Sequence, residues 1–428
     1  MHVIVIADHA HVNGGQAKVA IDSAVGLAGR GHRVTYFAAC GPIDEHLTES
    51  GVEVVCLGQP DITTARSQVK FLAQTMWNAT AARRLAELLG GLDRSATVLH
   101  VHGWAKALSP AIGPIIRHAG LAAVYTMHEF FLVCPTGGFY DYNRAEPCRR
   151  VPLSLSCITC NCDARSYPRK VLRMVRQLLL DDVSQLKQTI HHIVTLSELQ
   201  YQAVRDYLPP QTVYHRVGNP ISVPDLGSKP TAGDEFLFVG RLSTEKGVAH
   251  FCAAARLAGV VPVIAGDGPL AEELRVRFPE ARMLGWQSHE RVRDLMRRAR
   301  ALVFPSVWYE GQPLTVYEAL ALGTPVIVSD VCAGREAVED GVDGAWFSSA
   351  DPHSLAAALV RLGDDATAER MSRQAYEKYW ANPLTIDRHL DAIEAVYAQA
   401  LGEFEQRPKR QSAAGAPSDA PRRRSLPA

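Results

Sequence analysis

Seven short apolar runs recur through the first half of the chain, at 2–7, 32–38, 52–57, 97–102, 122–127, 191–196 and 212–217. Runs of this length suit strands buried on both faces, and helical patterns such as 17–30 and 68–89 lie between them. Strand and helix in alternation imply a parallel sheet with crossover helices on both sides. Between Val217 and Asp234 the turn formers Gly218, Asn219, Pro220, Pro224, Gly227, Pro230 and Gly233 crowd together with no period. The alternation then restarts with strands expected at 235–239, 261–265, 281–284, 301–304 and 325–329. The fold class expected is therefore α/β, with two doubly wound parallel-sheet domains facing a central cleft. Their expected bounds are 1–217, a linker at 218–234, and 235–382. After Pro383, Thr385 caps a helix over 383–404 whose apolar stripe of Ile386, Leu390, Ile393 and Tyr397 must pack on something, and the first domain is the expected partner. Residues 405–428 read as a disordered basic tail.

Composition narrows the class. No apolar run approaches the roughly 20 residues needed to cross a bilayer, and Met1 to Asp8 lacks the basic start of a signal peptide, so the expected location is cytoplasmic. Forty-five Lys and Arg balance forty-five Asp and Glu, but the tail from Arg407 holds six basic residues and only Asp419, which leaves an acidic body. Such a body argues against nucleic acid as a partner. Arg169, Lys170, Arg173 and Arg176 interleave with Val171, Leu172, Val175 and Leu179 on an expected helix. A solvated face on a partly buried helix is the default reading there, and a peripheral contact with anionic lipid is the alternative.

The most informative segment runs from Pro305 to Ile327 and contains Glu310, Gly311, Pro313, Leu314, Thr315 and Glu318. A strand is expected to end near Pro305 and a helix to begin near Pro313, with proline in the first helical position. The amides of Leu314 and Thr315 then face the preceding loop and suit a phosphate group. Gly14 and Gly15 open a helix after the first strand in the same manner, where backbone without side chains can approach an anion. Arg241 and Lys246 follow the first strand of the second domain and place two cations at its strand end. In open sheets of this kind ligands bind beyond the carboxyl ends of the strands, where all these loops lie.

Glu310 and Glu318, followed by Ala-Leu-Ala-Leu-Gly-Thr-Pro-Val-Ile, resemble the signature of the retaining glycosyltransferases of family four, which have the GT-B fold of two Rossmann-like domains. The resemblance spans most of the chain. It implies that Arg241 and Lys246 hold the diphosphate of a nucleotide sugar, that Glu310 positions the sugar hydroxyls, and that Glu318 holds the ribose. Gly311, Pro313, Leu314 and Thr315 line the donor site. Gly266 ends the next strand in a tight turn, and the backbone at Met283 and Leu284 lies against the nucleobase. Gly14 and Gly15 resemble the family's glycine loop beside the donor phosphates, and His128, followed by Glu129, resembles its active-site histidine at the donor sugar. No cofactor is implied for catalysis, because in a front-face displacement the leaving phosphate takes the acceptor proton. The expected activity is hexosyl transfer to a hydroxyl acceptor, a lipid-linked or soluble glycan, in polysaccharide, glycolipid or glycoconjugate synthesis. The alternatives on the same plan are a sugar-nucleotide epimerase, a phosphorylase, and a catalytically silent protein that binds nucleotide sugar.

Five of nine cysteines fall within 134–162. Cys134, Cys148, Cys157 and Cys160, with Cys162 as an alternative ligand, are candidates for a structural zinc that pins this insertion. Free thiols and a redox pair at Cys157 and Cys160 are the competing readings.

Overall fold

The computed structural model describes residues 1–61, 67–229 and 232–406. The first sheet begins with β1 (His2–His9), β2 (Arg33–Cys40), β3 (Glu53–Cys56), β4 (Thr97–Val101) and β5 (Ala122–Thr126). An insertion follows, with a short antiparallel pair, β6 (Tyr140–Asp141) and β7 (Glu146–Pro147). Then β8 (His192–Thr195) and β9 (Val213–Arg216) complete seven strands in the order β3-β2-β1-β4-β5-β8-β9. The second sheet consists of β10 (Glu235–Val239), β11 (Pro262–Ala265), β12 (Arg282–Gly285), β13 (Ala299–Phe304), β14 (Val326–Ser329) and β15 (Gly344–Phe347), in the order β12-β11-β10-β13-β14-β15. All pairings in both large sheets are parallel.

Strand order reverses between β1 and β4 in the first sheet and between β10 and β13 in the second. The loops leaving those strands part in opposite directions and open a crevice at each point. Gly14 and Gly15 follow β1, Arg241 and Lys246 follow β10, and Glu310 follows β13.

Period-two alternation explains the layers. Ile4, Ile6, Leu99 and Val101 pack into one apolar cluster, and Val3, Val5, Val98 and Val124 into another on the opposite face. The second cluster is closed by helix Ile386–Gln406, through Leu390, Ile393, Val396 and Tyr397. That helix lies so close to helix Gly15–Gly29 that a Cβ on Gly26 would stand 2.6 Å from Leu390 Cδ1. Arg30 fastens its rim by ion pairs with Asp387, Asp391 and Glu394. The chain therefore passes between the sheets twice, once after Val217 and once near Leu384, and the two passages are joined by a 2.8 Å bond from Ile221 N to Leu384 O.

Tyr397 also donates or accepts at His100 Nδ1, 2.6 Å away and fully buried. Tyr397→Phe leaves that nitrogen with only the longer contact to His102 Nε2, at 3.2 Å, and should lower stability by about 1 kcal/mol. Denaturant unfolding monitored by circular dichroism checks this, and an unchanged midpoint would mean that the ring alone holds the helix.

Two expectations change. The single helix over 68–89 is two, Gln68–Met76 and Ala79–Leu89, because Asn78 turns its side chain to cap the second, accepting from Ala81 N at 3.0 Å. The second sheet has six strands where five were expected. β15 escapes a pattern reading because it is four residues long and flanked by turn formers. Within the linker, residues 230–231 lie outside the described residues, as does the expected basic tail from 407 onward.

Candidate active site

Glu310 is the centre of a convergent polar cluster. Its Oε1 accepts from Lys246 Nζ at 2.5 Å, from Trp308 Nε1 at 2.6 Å and from Ser306 Oγ at 3.1 Å. Three donors on one oxygen, with the carboxylate only 12% exposed, fix the side chain. Lys246 sits over the rings of Phe304 and Trp308 as well. The expected basic loop is thus split: Lys246 is bound to Glu310, while Arg241 is exposed.

Backbone packing sets that loop. Gly240 and Gly266 have φ of 155° and 150°, and a Cβ on Gly266 would fall 1.9 Å from Gly240 O. Gly266 therefore supports the Arg241 loop from below. Met283 and Leu284 lie on β12, an edge strand, half-buried, and the Leu284 carbonyl accepts from Gln287 Nε2 at 2.7 Å.

Helix Leu314–Ala321 starts one residue later than expected. Pro313 is its N-cap rather than its first turn, and Leu314 and Thr315 occupy the turn whose amides lack helical partners. Across the cleft, helix Gly15–Gly29 starts at Gly14, whose φ of 152° suits glycine alone. The two helix N-termini lie side by side across the cleft, since a Cβ on Gly15 would touch Leu314 Cδ1 at 3.5 Å. Both present positive dipole ends to one gap, an arrangement that favours a polyanion. Glu318 is largely buried one turn further in, near Lys18, His289 and Arg293, and burial pushes its carboxyl above the usual range.

The domains meet around this gap. Gln312 Oε1 accepts from Asn219 N at 2.6 Å, and a Cβ on Gly311 would stand 3.0 Å from Gln200 Nε2. Gln200 Nε2 in turn donates to Met127 O at 2.6 Å, which holds the residue just before His128. Ser197 caps its helix through the Gln200 amide, at 3.2 Å.

His128 ends a buried chain of rings that the motif reading missed. His128 Nε2 meets His102 Nδ1 at 3.1 Å, His102 Nε2 meets His100 Nδ1 at 3.2 Å, and His100 Nε2 meets Thr126 Oγ1 at 2.7 Å. Burial pushes His128 down to about 3 and keeps His100 and His102 well below their ordinary value. All three rings are neutral at physiological pH, and each carries one N–H. The tautomer of His128 is therefore coupled to those of His102 and His100. A neutral His128 can orient a hydroxyl by hydrogen bonding, but it does not supply positive charge.

Asp8, at the end of β1, was also missed. Its carboxylate accepts from the amides of Lys106, Ala107 and Leu108 at 3.1, 2.8 and 2.9 Å and shapes the loop after β4. Gln16 Nε2 donates to His102 O at 2.6 Å and ties the glycine loop to that strand end. The sequence signals were present: an acid at a strand end beside the Gly-Gly loop, and His-x-His, whose alternate residues share one strand face.

The five cysteines of the zinc expectation do not all lie together. Cys134, Cys148, Cys157 and Cys162 line one cavity of about 10 Å³ with buried Lys170. Cys160 turns away and donates its thiol hydrogen to Asp141 Oδ2 at 3.2 Å. Among the described residues no three His, Cys, Asp or Glu side chains are grouped to hold a metal ion, and all nine cysteines are free thiols.

Residues 14–220 match the family model for the glycosyl transferase 4-like domain, and residues 233–365 that for glycosyl transferases group 1. The chain belongs to the group 1 glycosyltransferases of family four and has their GT-B fold. A galactosyltransferase of Escherichia coli, named for transfer from UDP-Gal to GlcNAc-diphosphoundecaprenol, is 31% identical over 38% of this chain and 44% of its own length. Glycogen synthase of Mycobacterium tuberculosis is 34% identical over 44% of this chain and 48% of its own length. The chain thus spans under half the length of these relatives. Among solved structures, HepE of Anabaena with UDP and glucose superposes with a TM-score of 0.62 at 13% identity, covering 93% of this chain and 100% of that one. Sucrose-phosphate synthase of Thermosynechococcus elongatus gives 0.64 at 18% identity, covering 94% and 99%. These likenesses concern the fold. No helix among the described residues is long and apolar enough to cross a membrane.

Proposed function

We propose that the chain is a retaining hexosyltransferase that works without a catalytic metal, moving a sugar from a nucleoside diphosphate to a hydroxyl acceptor. The observation that carries this reading is the pair of adjacent helix N-termini, at Gly15 and Leu314, beside the Glu310 cluster. The diphosphate occupies the gap between the N-termini, with Arg241 and Lys246 as its cations. Glu310 takes sugar hydroxyls, Glu318 takes the ribose, and the backbone at Met283 and Leu284 borders the base. His128 orients a sugar hydroxyl in its neutral form.

In the reaction the bond from the anomeric carbon to the leaving phosphate breaks as the acceptor oxygen attacks from the same face. The acceptor proton passes to the departing phosphate oxygen, so the products are a glycoside and a nucleoside diphosphate. Charge growing on that phosphate is met by Arg241, Lys246 and the helix ends, which are in place before the reaction begins. Residues 235–382 hold the donor, residues 1–217 the acceptor, and 218–234 with the helix over 383–404 connect them. The names of the relatives favour a UDP-hexose as donor and a glycan on a lipid diphosphate as acceptor.

The test is mass-spectrometric detection of nucleoside diphosphate released from a panel of nucleotide sugars. Release should be confined to one donor. Arg241→Ala should lower its kcat/KM about tenfold, as expected for losing one exposed cation near the phosphates, roughly 1.4 kcal/mol. An altered nucleotide sugar without acceptor would instead indicate an epimerase, and tight donor binding with no turnover on any glycan acceptor a silent binder.

A further inference from the structure

Helix Tyr167–Leu178 is inside out. Its residues fall into three stripes, each with the i, i+4, i+7 spacing of one helical face. Lys170, Met174 and Gln177 form the buried stripe; Lys170 donates to the carbonyls of Cys157 and Cys160, and Gln177 to Leu132 O at 3.0 Å. Arg169, Arg173 and Arg176 form the second. Arg173 pairs with Asp163 at 3.1 Å, and Arg176 lies over Trp104 and Phe131 and donates to Ala105 O at 2.6 Å, so the far end of this stripe faces the loop that follows β4 while Arg169, at its start, is exposed. Val171, Val175 and Leu178 form the third, with Leu172 beside it, and this apolar stripe is exposed, to 43% at Val175 and 48% at Leu178. Water is the wrong solvent for that face.

The surrounding surface supplies charge of one sign. Residues 141–176 hold eight basic residues and three acidic ones, in a body that is otherwise acidic. Asp141 and Asp163 are buried and already paired with Arg150 and Arg173. Arg149, Arg165 and Arg169 are exposed and, among the described residues, form no ion pair. Leu155, 77% exposed, and Ile158 extend the apolar surface, and the hydrogen bond from Tyr167 Oη to Ile158 O, 2.7 Å, joins that turn to the start of the helix.

We infer that this face docks on an anionic lipid bilayer, with Val171, Val175 and Leu178 dipping into the acyl boundary and Arg165 and Arg169 meeting headgroup phosphates. Apolar residues flanked by unpaired arginines match that solvent on both counts, whereas a second copy of this cationic face would repel the first. The inference stands apart from the catalytic reading, although it places a bilayer within reach of the first domain's cleft.

Cosedimentation of the full chain with vesicles tests it without any turnover. Binding should be tight to phosphatidylcholine containing about one third phosphatidylglycerol and weak to phosphatidylcholine alone. The double variant Arg165→Glu/Arg169→Glu should lose at least about thirtyfold in affinity, from two headgroup contacts. Val175→Ser/Leu178→Ser should lose at least about tenfold while keeping the wild-type melting midpoint, and Leu172→Ser, at the edge of the same face, should lose less. Wild-type protein left in the supernatant with both vesicles overturns the inference. So does binding that survives both stripe variants and disappears on Arg422→Ala/Arg423→Ala/Arg424→Ala. A concentration-dependent dimer abolished by Val175→Ser/Leu178→Ser overturns it as well, in favour of a second copy. Loss of glycosyl transfer with vesicle binding intact would count against the catalytic reading alone.

Discussion

Glu310→Gln should reduce kcat/KM by about a thousandfold, roughly 4 kcal/mol of transition-state stabilisation. The change keeps size and shape but removes the charge that Lys246, Trp308 and Ser306 all address. An amide can offer its oxygen to only part of that set, and its own hydrogens then clash with a donor. Lys246, freed from its partner in a half-buried position, loses the anchor that fixes it and draws in water, which disturbs the geometry in which the sugar is presented. Removing one member of a buried, hydrogen-bonded charge pair commonly costs 3–5 kcal/mol in its own right, so the melting midpoint should fall too. Initial rates of diphosphate release, compared with donor affinity by calorimetry, separate the two effects. Catalysis reduced less than tenfold would make Glu310 a clamp for the Lys246 loop rather than a contact to the sugar.

Lowering the pH from 7 to 5 should destabilise the fold by about 6 kcal/mol through His100, His102 and His128 alone. The sign follows from their depressed folded values. In the unfolded chain each ring takes a proton below about 6.5, whereas in the folded chain burial keeps all three neutral. The unfolded state therefore binds more protons, and stability is full above 6.5 and falls as pH drops. Each ring contributes about 2 kcal/mol between pH 7 and 5, reaching a slope near 1.4 kcal/mol per pH unit. Urea unfolding at stepped pH measures the slope directly. A flat response across this window would mean that the rings are protonated in the folded state, and His128 would then be a source of charge at the sugar after all.

What was legible in the sequence followed from periodicity and from turn chemistry. All seven strands of the first sheet were readable because each is a short apolar run bounded by polar or glycine-rich turns, buried on both faces in all but the edge strands β3 and β9. The strand Gly344–Phe347 was not, since four residues with a glycine carry no period. Glu310, Gly15 and Leu314 could be assigned to one cleft because strand ends in a doubly wound sheet point to one side. Their partners could not. Trp308 and Ser306 reach Glu310 through the local path of a loop, and His100 meets Tyr397 across nearly three hundred residues of chain. The Cys160 thiol turned to Asp141 for a similarly local reason, a neighbour contributed by the short β6 strand. The helix Tyr167–Leu178 could be read only as partly buried, because alternation of basic and apolar residues says that a helix has two kinds of face, not which of them the fold covers.

The two passages between the sheets, fastened to each other at Ile221 and Leu384, work like a door hung on two pins set side by side. One pin alone would let the second sheet swivel and twist freely about its tether. Two close together leave swinging as the easy motion. A hinge of that kind limits any separation of Gly15 from Leu314 to a single arc.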